Sequence, residues 1–204
     1  MSSSPTSLDP IVLPLVLGDT VLDVGCGYGR WAQLLRTNFW EAYMRNPPEV
    51  DGVDGFQPNV DAVKRLNIYR RVWCQLLPAK LDGVWDTVLA CEILEHLEQS
   101  QIVPMLDSLE EAARRRVIVT TPNGPMYRGG GHTIYGFNEL EAHRSFVSRR
   151  LLRARGYRLH GAGFGPPGSR LRHFVTNMRV AGDLASLSFH LPVLGYLTVA
   201  HKDL

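Results

Sequence analysis

The sequence predicts a doubly wound α/β fold with a mostly parallel sheet, and three observations carry that expectation. Short apolar runs rich in β-branched residues alternate along the chain with stretches of helical periodicity. The first such run, residues 21–24, passes into a helix through a turn that holds Gly25, Gly27 and Gly29, where the backbone can bend tightly and a ligand can approach without meeting a Cβ. At 204 residues and 45% hydrophobic content, the chain is long enough for one well-buried core and too short for two domains of ordinary size. Residues 1–204 therefore read as a single domain, with residues 1–10 as a flexible Ser/Pro-rich tail.

The elements follow in order. Residues 9–17 are apolar but contain Pro10 and Pro14, which limits them to a short leading helix. After the glycine turn a helix runs over residues 31–44, with Trp31, Leu34, Leu35 and Phe39 on its buried side, until Asn46, Pro47 and Pro48 stop it. Residues 50–54 form the second strand, and a helix begins near Pro58 and Asn59. Residues 69–76 are the third strand and residues 85–92 the fourth, followed by a helix that begins at Ile93. If that helix includes Glu92, then Glu92, Glu95 and His96 share one face. An amphipathic helix spans residues 101–113 with Val103, Leu106 and Leu109 inward, and Arg114, Arg115 and Arg116 complement its exposed carbonyls.

Residues 117–121 are the fifth strand, ended sharply by Pro122, Asn123, Gly124 and Pro125. The long connection over residues 124–142, with Gly129, Gly130 and Gly131 in a row, is expected to act as a lid over the ligand. A helix over residues 146–155 ends at Gly156, and residues 157–164 and 195–201 supply the sixth and seventh strands. Between them, Arg170, Arg172 and Arg179 mix with Leu171, Phe174, Val175 and Met178 as in a short amphipathic helix.

Charge excludes little at a net value of +2, but 19 of the 22 basic residues are arginine. Residues 142–182 carry nine arginines and no carboxylate, a solvated face first and otherwise a surface for an anionic partner. Cys26, Cys74 and Cys91 are too few and too irregularly spaced for a disulfide framework or a thiolate metal site, which suits a reducing cytoplasm. The first ten residues do not read as a signal peptide. His190, Pro192 and Gly195 interrupt the apolar residues 184–200, which are short for a membrane span. No oligomeric state is assigned.

Asp23 departs from a dinucleotide fingerprint: a carboxylate closing the first strand would repel a pyrophosphate but suits a cofactor that bears an ammonium group. With Val21 and Leu22 before it, the Asp23-x-Gly25-x-Gly27-x-Gly29 pattern resembles the first motif of the class I S-adenosylmethionine-dependent methyltransferases, and the fourth strand resembles that of their small-molecule, ubiquinone-biosynthesis-like group. Thr121, Pro122 and Asn123 give a further match. The resemblance implies a seven-stranded sheet with its last strand antiparallel and S-adenosyl-L-methionine as cofactor. By resemblance, Asp23, Gly25, Cys26 and Gly27 cradle the cofactor, Asp54 accepts from the ribose hydroxyls, Phe56 lies against adenine, and Cys91 and Glu92 face the methionine part. Many relatives place an adenine-reading aspartate after the third strand; here Gln75 and Leu76 stand there.

The implied reaction is in-line methyl transfer to an oxygen or nitrogen of a small-molecule acceptor, for which the arginine-rich stretch admits an anionic one. His143 is the first candidate for a general base, with His96 or His132 second, and this reading uses no metal. A second reading resembles the metal-assisted small-RNA 2′-O-methyltransferases, through Glu92, Glu95, His96 and the later His143; RNA is then the partner. A third is a non-catalytic module that binds S-adenosylmethionine.

Overall fold

A computed structural model of the protein describes residues 4–43, 46–163 and 187–204, and it is organised on one seven-stranded sheet. The strands are β1 (Thr20–Val24), β2 (Glu49–Asp54), β3 (Arg71–Cys74), β4 (Trp85–Cys91), β5 (Ala113–Pro122), β8 (Arg158–Ala162) and β9 (Leu197–Asp203), in the spatial order β3-β2-β1-β4-β5-β9-β8. β9 is antiparallel to both its neighbours, and the other pairings are parallel. The order reverses between β1 and β4, where an open α/β sheet leaves a crevice beyond its carboxyl ends.

Alternation along the central strands divides the core into two layers. Leu22, Val24, Val88, Ala90, Val117 and Val119 point to one face. There they meet Ile102, Met105, Leu106 and Leu109 of α4 (Ile102–Ala112) and Leu152 of α5 (Arg149–Ala154). Val21, Leu89 and Ile118 point the other way, onto Trp31, Ala32 and Leu35 of α2 (Arg30–Tyr43), Val63 of α3 (Gln57–Leu66) and the leading turns. The leading turns are α1 (Asp9–Val12) flanked by 3-10 turns at Thr6–Leu8 and Leu13–Leu15, the short element that the two prolines allow.

Four expectations need correction. The helix expected to begin at Ile93 does not form: Glu92 takes φ 58°, a left-handed conformation that breaks helical continuity, and two 3-10 turns, Leu94–His96 and Gln99–Gln101, lead to α4. Val103 faces solvent at 42% exposure, since the inward stripe of α4 runs through Ile102, Met105 and Leu109. Arg114, Arg115 and Arg116 belong to β5 and do not cap a helix; Arg114 pairs with Asp86 at 2.9 Å and Arg116 with Asp203 at 2.6 Å. The helix expected over residues 146–155 begins only at Arg149, with Ser148 as its N-cap, because Arg144 and Ser145 are held extended by N–H donation to the Glu95 carbonyl. Residues 124–142 contain a small hairpin, β6 (Gly131–Thr133) and β7 (Gly136–Asn138), outside the main sheet. The Phe39 side chain and the arginine-bearing segment over residues 164–186 lie outside the described residues.

Candidate active site

At the carboxyl ends of β1, β2 and β4 the structure has a cleft of about 460 Å³, within the usual range for a small-molecule site. One wall comes from the glycine turn. Gly25, Gly27 and Gly29 have φ of 72°, 52° and 81°, and a Cβ on Gly25 would lie 1.8 Å from Ile93 Cδ1. Gly25 N–H and Cys26 N–H both donate to the Val53 carbonyl, which fixes the turn to the end of β2. Asp54 completes that wall: its Oδ2 accepts from Gly27 N–H at 2.8 Å and its Oδ1 from Phe56 N–H at 2.8 Å, with Asn59 Nδ2 at 3.4 Å. Burial raises the Asp54 carboxyl, against these hydrogen bonds. Oδ2, with a single donor, keeps a second lone pair for a ligand hydroxyl, whereas Oδ1 already faces two donors.

Gly25, Cys26, Gly27, Asp54, Leu76, Cys91, Glu92, His96 and His143 all line this one cleft. Four of the expected site residues do not, the first being His132, which is exposed on β6. Asp23 lies beneath the turn, 1% exposed, where its Oδ2 accepts from the Tyr69 hydroxyl at 2.7 Å and its Oδ1 has no partner. Burial, reinforced by Asp54 and opposed by Tyr69, pushes its carboxyl up to about 7. The Gln75 amide is occupied within the protein, accepting from Trp73 Nε1 at 2.8 Å and donating to the Lys80 carbonyl at 2.9 Å. Phe56 serves as the N-cap residue of α3 outside the cleft.

The opposite wall is assembled from three segments. After β4, Glu92 N–H donates to the Thr120 carbonyl at 3.0 Å, and Thr120 Oγ1 donates to Glu92 Oε1 at 2.9 Å. The turn that follows exposes Glu95 and His96 to the cleft. The segment after β7 is then pinned onto this turn: Arg144 and Ser145 N–H reach the Glu95 carbonyl at 2.8 and 3.1 Å, and Ser145 Oγ reaches the Leu94 carbonyl at 3.1 Å. Those bonds place the His143 ring edge-on to His96, with centroids 4.8 Å apart.

The resulting cluster is chemically unusual. One ligand atom from each of Glu95, His96 and His143 lies within 4.8 Å of the others. Neither Glu95 oxygen has a hydrogen-bond partner, nor does His143 Nδ1, although both residues are buried. His96 Nδ1 is 3.1 Å from the Ala142 carbonyl; since a carbonyl only accepts, that nitrogen carries the proton and Nε2 keeps a free lone pair. Burial lowers His96, and burial with His96 and Arg128 nearby holds His143 at about 4, so both rings are neutral at physiological pH. Burial pushes Glu92 up to about 7, and burial with the Glu92 charge pushes Glu95 well above the carboxylate range.

Sequence reasoning missed Asn59 and Arg128 as residues that line the cleft, and Tyr69 as the partner of Asp23 beneath it. Asn59 is visible as a polar residue in the first turn of α3, whereas Arg128 reaches the cleft, and Tyr69 reaches Asp23, through tertiary contacts alone. Asn123 of the Thr-Pro-Asn signature serves the fold. Its Nδ2 donates to the Pro192 and Gly195 carbonyls at 2.8 and 2.7 Å, and its Oδ1 accepts from Arg149 at 3.0 Å, tying β5 to β9.

Comparison with known proteins places this geometry in context. No curated protein sequence matches the chain. Among solved structures, the DhpI-SAM-HEP complex superposes with a TM-score of 0.60 at 16% identity, covering 96% of this chain and 85% of that one. Magnesium protoporphyrin IX methyltransferase from Synechocystis PCC 6803 with bound SAH gives 0.54 at 18% identity, covering 91% and 74%. The methyltransferase domain of bacterial CtHen1-CN gives 0.54 at 18% identity, covering 91% and 90%. At these identities the likeness is one of fold, the Rossmann-like methyltransferase fold. A methyltransferase domain family model matches residues 7–164, more than half of the sequence, and the chain therefore belongs to the methyltransferase domain family.

Proposed function

We propose that the protein uses S-adenosyl-L-methionine to methylate an oxygen or nitrogen of a small-molecule acceptor. The observation that carries this reading is the single cleft that joins the Gly25–Gly27 and Asp54 wall to the Glu95, His96 and His143 wall. The adenosine end would lie along Asp54, Asn59 and Leu76, with the ribose hydroxyls donating to Asp54, and the reactive methyl would face the histidine pair. In-line transfer needs proximity, alignment and a dry pocket more than it needs a reactive side chain. His96 Nε2 is placed to take a proton from the acceptor. His143, held near 4, keeps a proton too poorly to be a strong base and suits orienting the acceptor's donor hydrogen. Solved neighbours are crystallised with SAM or SAH, which supports the cofactor assignment, and the magnesium protoporphyrin IX enzyme gives the small-molecule acceptor class a precedent within the fold. Calorimetric titration with S-adenosylmethionine, followed by a screen of metabolite and RNA acceptors with labelled cofactor, tests the reading; a chain that binds no cofactor would end it.

A second reading has its own observation. The unpartnered Glu95 carboxylate, the His143 ring and His96 Nε2 fit the donor chemistry of a divalent cation, and two imidazoles with a carboxylate are a recurrent ligand set. A cation held by Glu95, His96 and His143 would supply Lewis acidity toward acceptor hydroxyls, as in a 2′-O-methyltransferase acting on RNA. On this reading the two histidines are ligands in place of proton carriers. Metal analysis of the purified protein, with labelled-cofactor assays before and after chelation, separates the two: turnover unaffected by a chelator rejects the metal reading.

A further inference from the structure

S-adenosylmethionine carries a zwitterionic amino-acid group, and its carboxylate would enter a cavity lined by Asp54, Glu92, Glu95, Glu98 and Glu141. Among so many acids an anion needs a cation to receive it. Three arginines line the same cleft, and two of them belong to the acceptor wall. Arg128 is paired by backbone to His143 and lies 3.7 Å from Glu141, while Arg144 lies 3.2 Å from Glu98.

Arg30 is placed differently. It opens α2 directly after the glycine turn and borders the cleft together with Gly25, Cys26 and Gly27. Its Nη2 is ion-paired to Asp9 of the leading helix, yet its Nε is buried without a hydrogen-bond partner. The next residue, Trp31, is 4% exposed, also lines the cleft, and its indole Nε1 is a second buried donor without a partner. Unpaired buried donors are uncommon because each forfeits its hydration, and two on adjacent residues beside one cavity call for a shared acceptor. A carboxylate, with two oxygens and no hydrogens to donate, has the matching chemistry.

We propose that Arg30 and Trp31 bind the carboxylate at the amino-acid end of S-adenosylmethionine, with Asp9 as a positioning residue that holds the guanidinium in place. The assignment rests on the cofactor reading and extends it to the amino-acid end of the molecule. It also gives the leading helix a role in cofactor binding, since Asp9 comes from that helix.

Two ligands isolate the effect: S-adenosylhomocysteine, which has the amino-acid end, and 5′-methylthioadenosine, which keeps the adenosine and sulfur but lacks it. Calorimetry on Arg30→Gln should show S-adenosylhomocysteine weakened roughly 10- to 100-fold, the loss of a charge-assisted hydrogen bond, with methylthioadenosine unchanged. Trp31→Phe, which keeps the ring and removes the donor, should weaken S-adenosylhomocysteine by roughly 5-fold with the same selectivity, and it remains informative if Arg30→Gln folds poorly. Unchanged affinity for S-adenosylhomocysteine, or equal losses on both ligands, would overturn the inference while leaving the cofactor reading intact. A parent protein that binds neither ligand would overturn both.

Discussion

At one end of the cleft Gly27 N–H meets the Asp54 carboxylate 27 positions away, across two strands that are neighbours in the sheet. At the other end Ser145 Oγ meets the Leu94 carbonyl 51 positions away, and the His143 segment that it anchors belongs to no strand of that sheet. At the glycine turn the first wall is a backbone device: amides donate to Asp54 and both its oxygens have partners, although Arg30 Nε and Trp31 Nε1 beside the turn and Asp23 Oδ1 beneath it have none. The second is a side-chain device whose Glu95 oxygens and His143 Nδ1 are buried without partners. Buried unsatisfied groups cost stability, so the second wall is held for what it does to a ligand, and the pinned loop supplies the restraint.

The largest expected effect on turnover lies in that second wall. His143→Ala should lower turnover by about 10²-fold on an identified acceptor, because it removes the group that orients the acceptor at the reacting centre. Cofactor affinity should stay within about 2-fold, since no bond from His143 reaches the glycine turn. Parent-like turnover at saturating cofactor would remove His143 from the chemistry. Asp54→Ala should do the reverse, weakening cofactor binding by about 2 to 4 kcal/mol through loss of charge-assisted hydrogen bonds to the ribose. It also leaves Gly27 N–H and Phe56 N–H without their acceptor, so a fall in melting temperature should accompany the loss. A folded variant with parent-like affinity would separate Asp54 from the ligand.

The same contrast explains what could be read in advance. The individual strands, the glycine turn and the acid at the end of β2 were legible because each is written in adjacent residues, as β-branched runs, turn glycines and a strand-end carboxylate, whereas the antiparallel last strand was implied by the family resemblance and the spatial order comes from the structure. The turn after β4 was misread as helix because Ile93 to Leu97 have helical composition, whereas Glu92 takes a left-handed conformation held by Thr120, 28 positions away. Asp23 was legible as an unusual acid, but its burial beneath the turn was not, since that depends on Tyr69. Gln75 matches the expected position, yet a bond from Trp73 occupies its amide.

Asp23 offers a test of the supposedly well-satisfied wall. With burial raising its carboxyl to about 7, the folded state keeps a proton that the unfolded chain releases near the ordinary value of 3.8. The contribution is therefore fully present below that lower value and is lost as pH rises through about 7. Denaturant melts should show the parent losing on the order of 1 to 4 kcal/mol between pH 4 and 8 relative to Asp23→Asn, whose amide does not titrate. Parallel pH profiles for the two proteins would mean that Asp23 is ionised in the fold, and the contrast between the walls would sharpen accordingly.

The smallest expected effect concerns the joint between the two walls. Tyr28 stands inside the glycine turn, and its hydroxyl accepts from Ile134 N–H at 3.2 Å while its ring meets Tyr135 edge-on at 5.4 Å. The hairpin it touches has strands of three residues each, and Ile134, Tyr135 and Phe137 are exposed. A hairpin this short is marginal by itself, so its orientation depends on such contacts. Tyr28→Phe keeps the edge-on ring and deletes the acceptor, at a cost of about 0.5 to 1 kcal/mol. If the hairpin closes over the acceptor from the cofactor turn, that loss should raise the acceptor KM by roughly 2- to 5-fold, leave kcat and cofactor affinity near the parent's, and speed amide exchange across residues 131–138 in the cofactor-bound protein. Identical exchange and an unchanged KM would mean that the hairpin takes no instruction from the cofactor turn, and that the two walls are coupled only through the ligand between them.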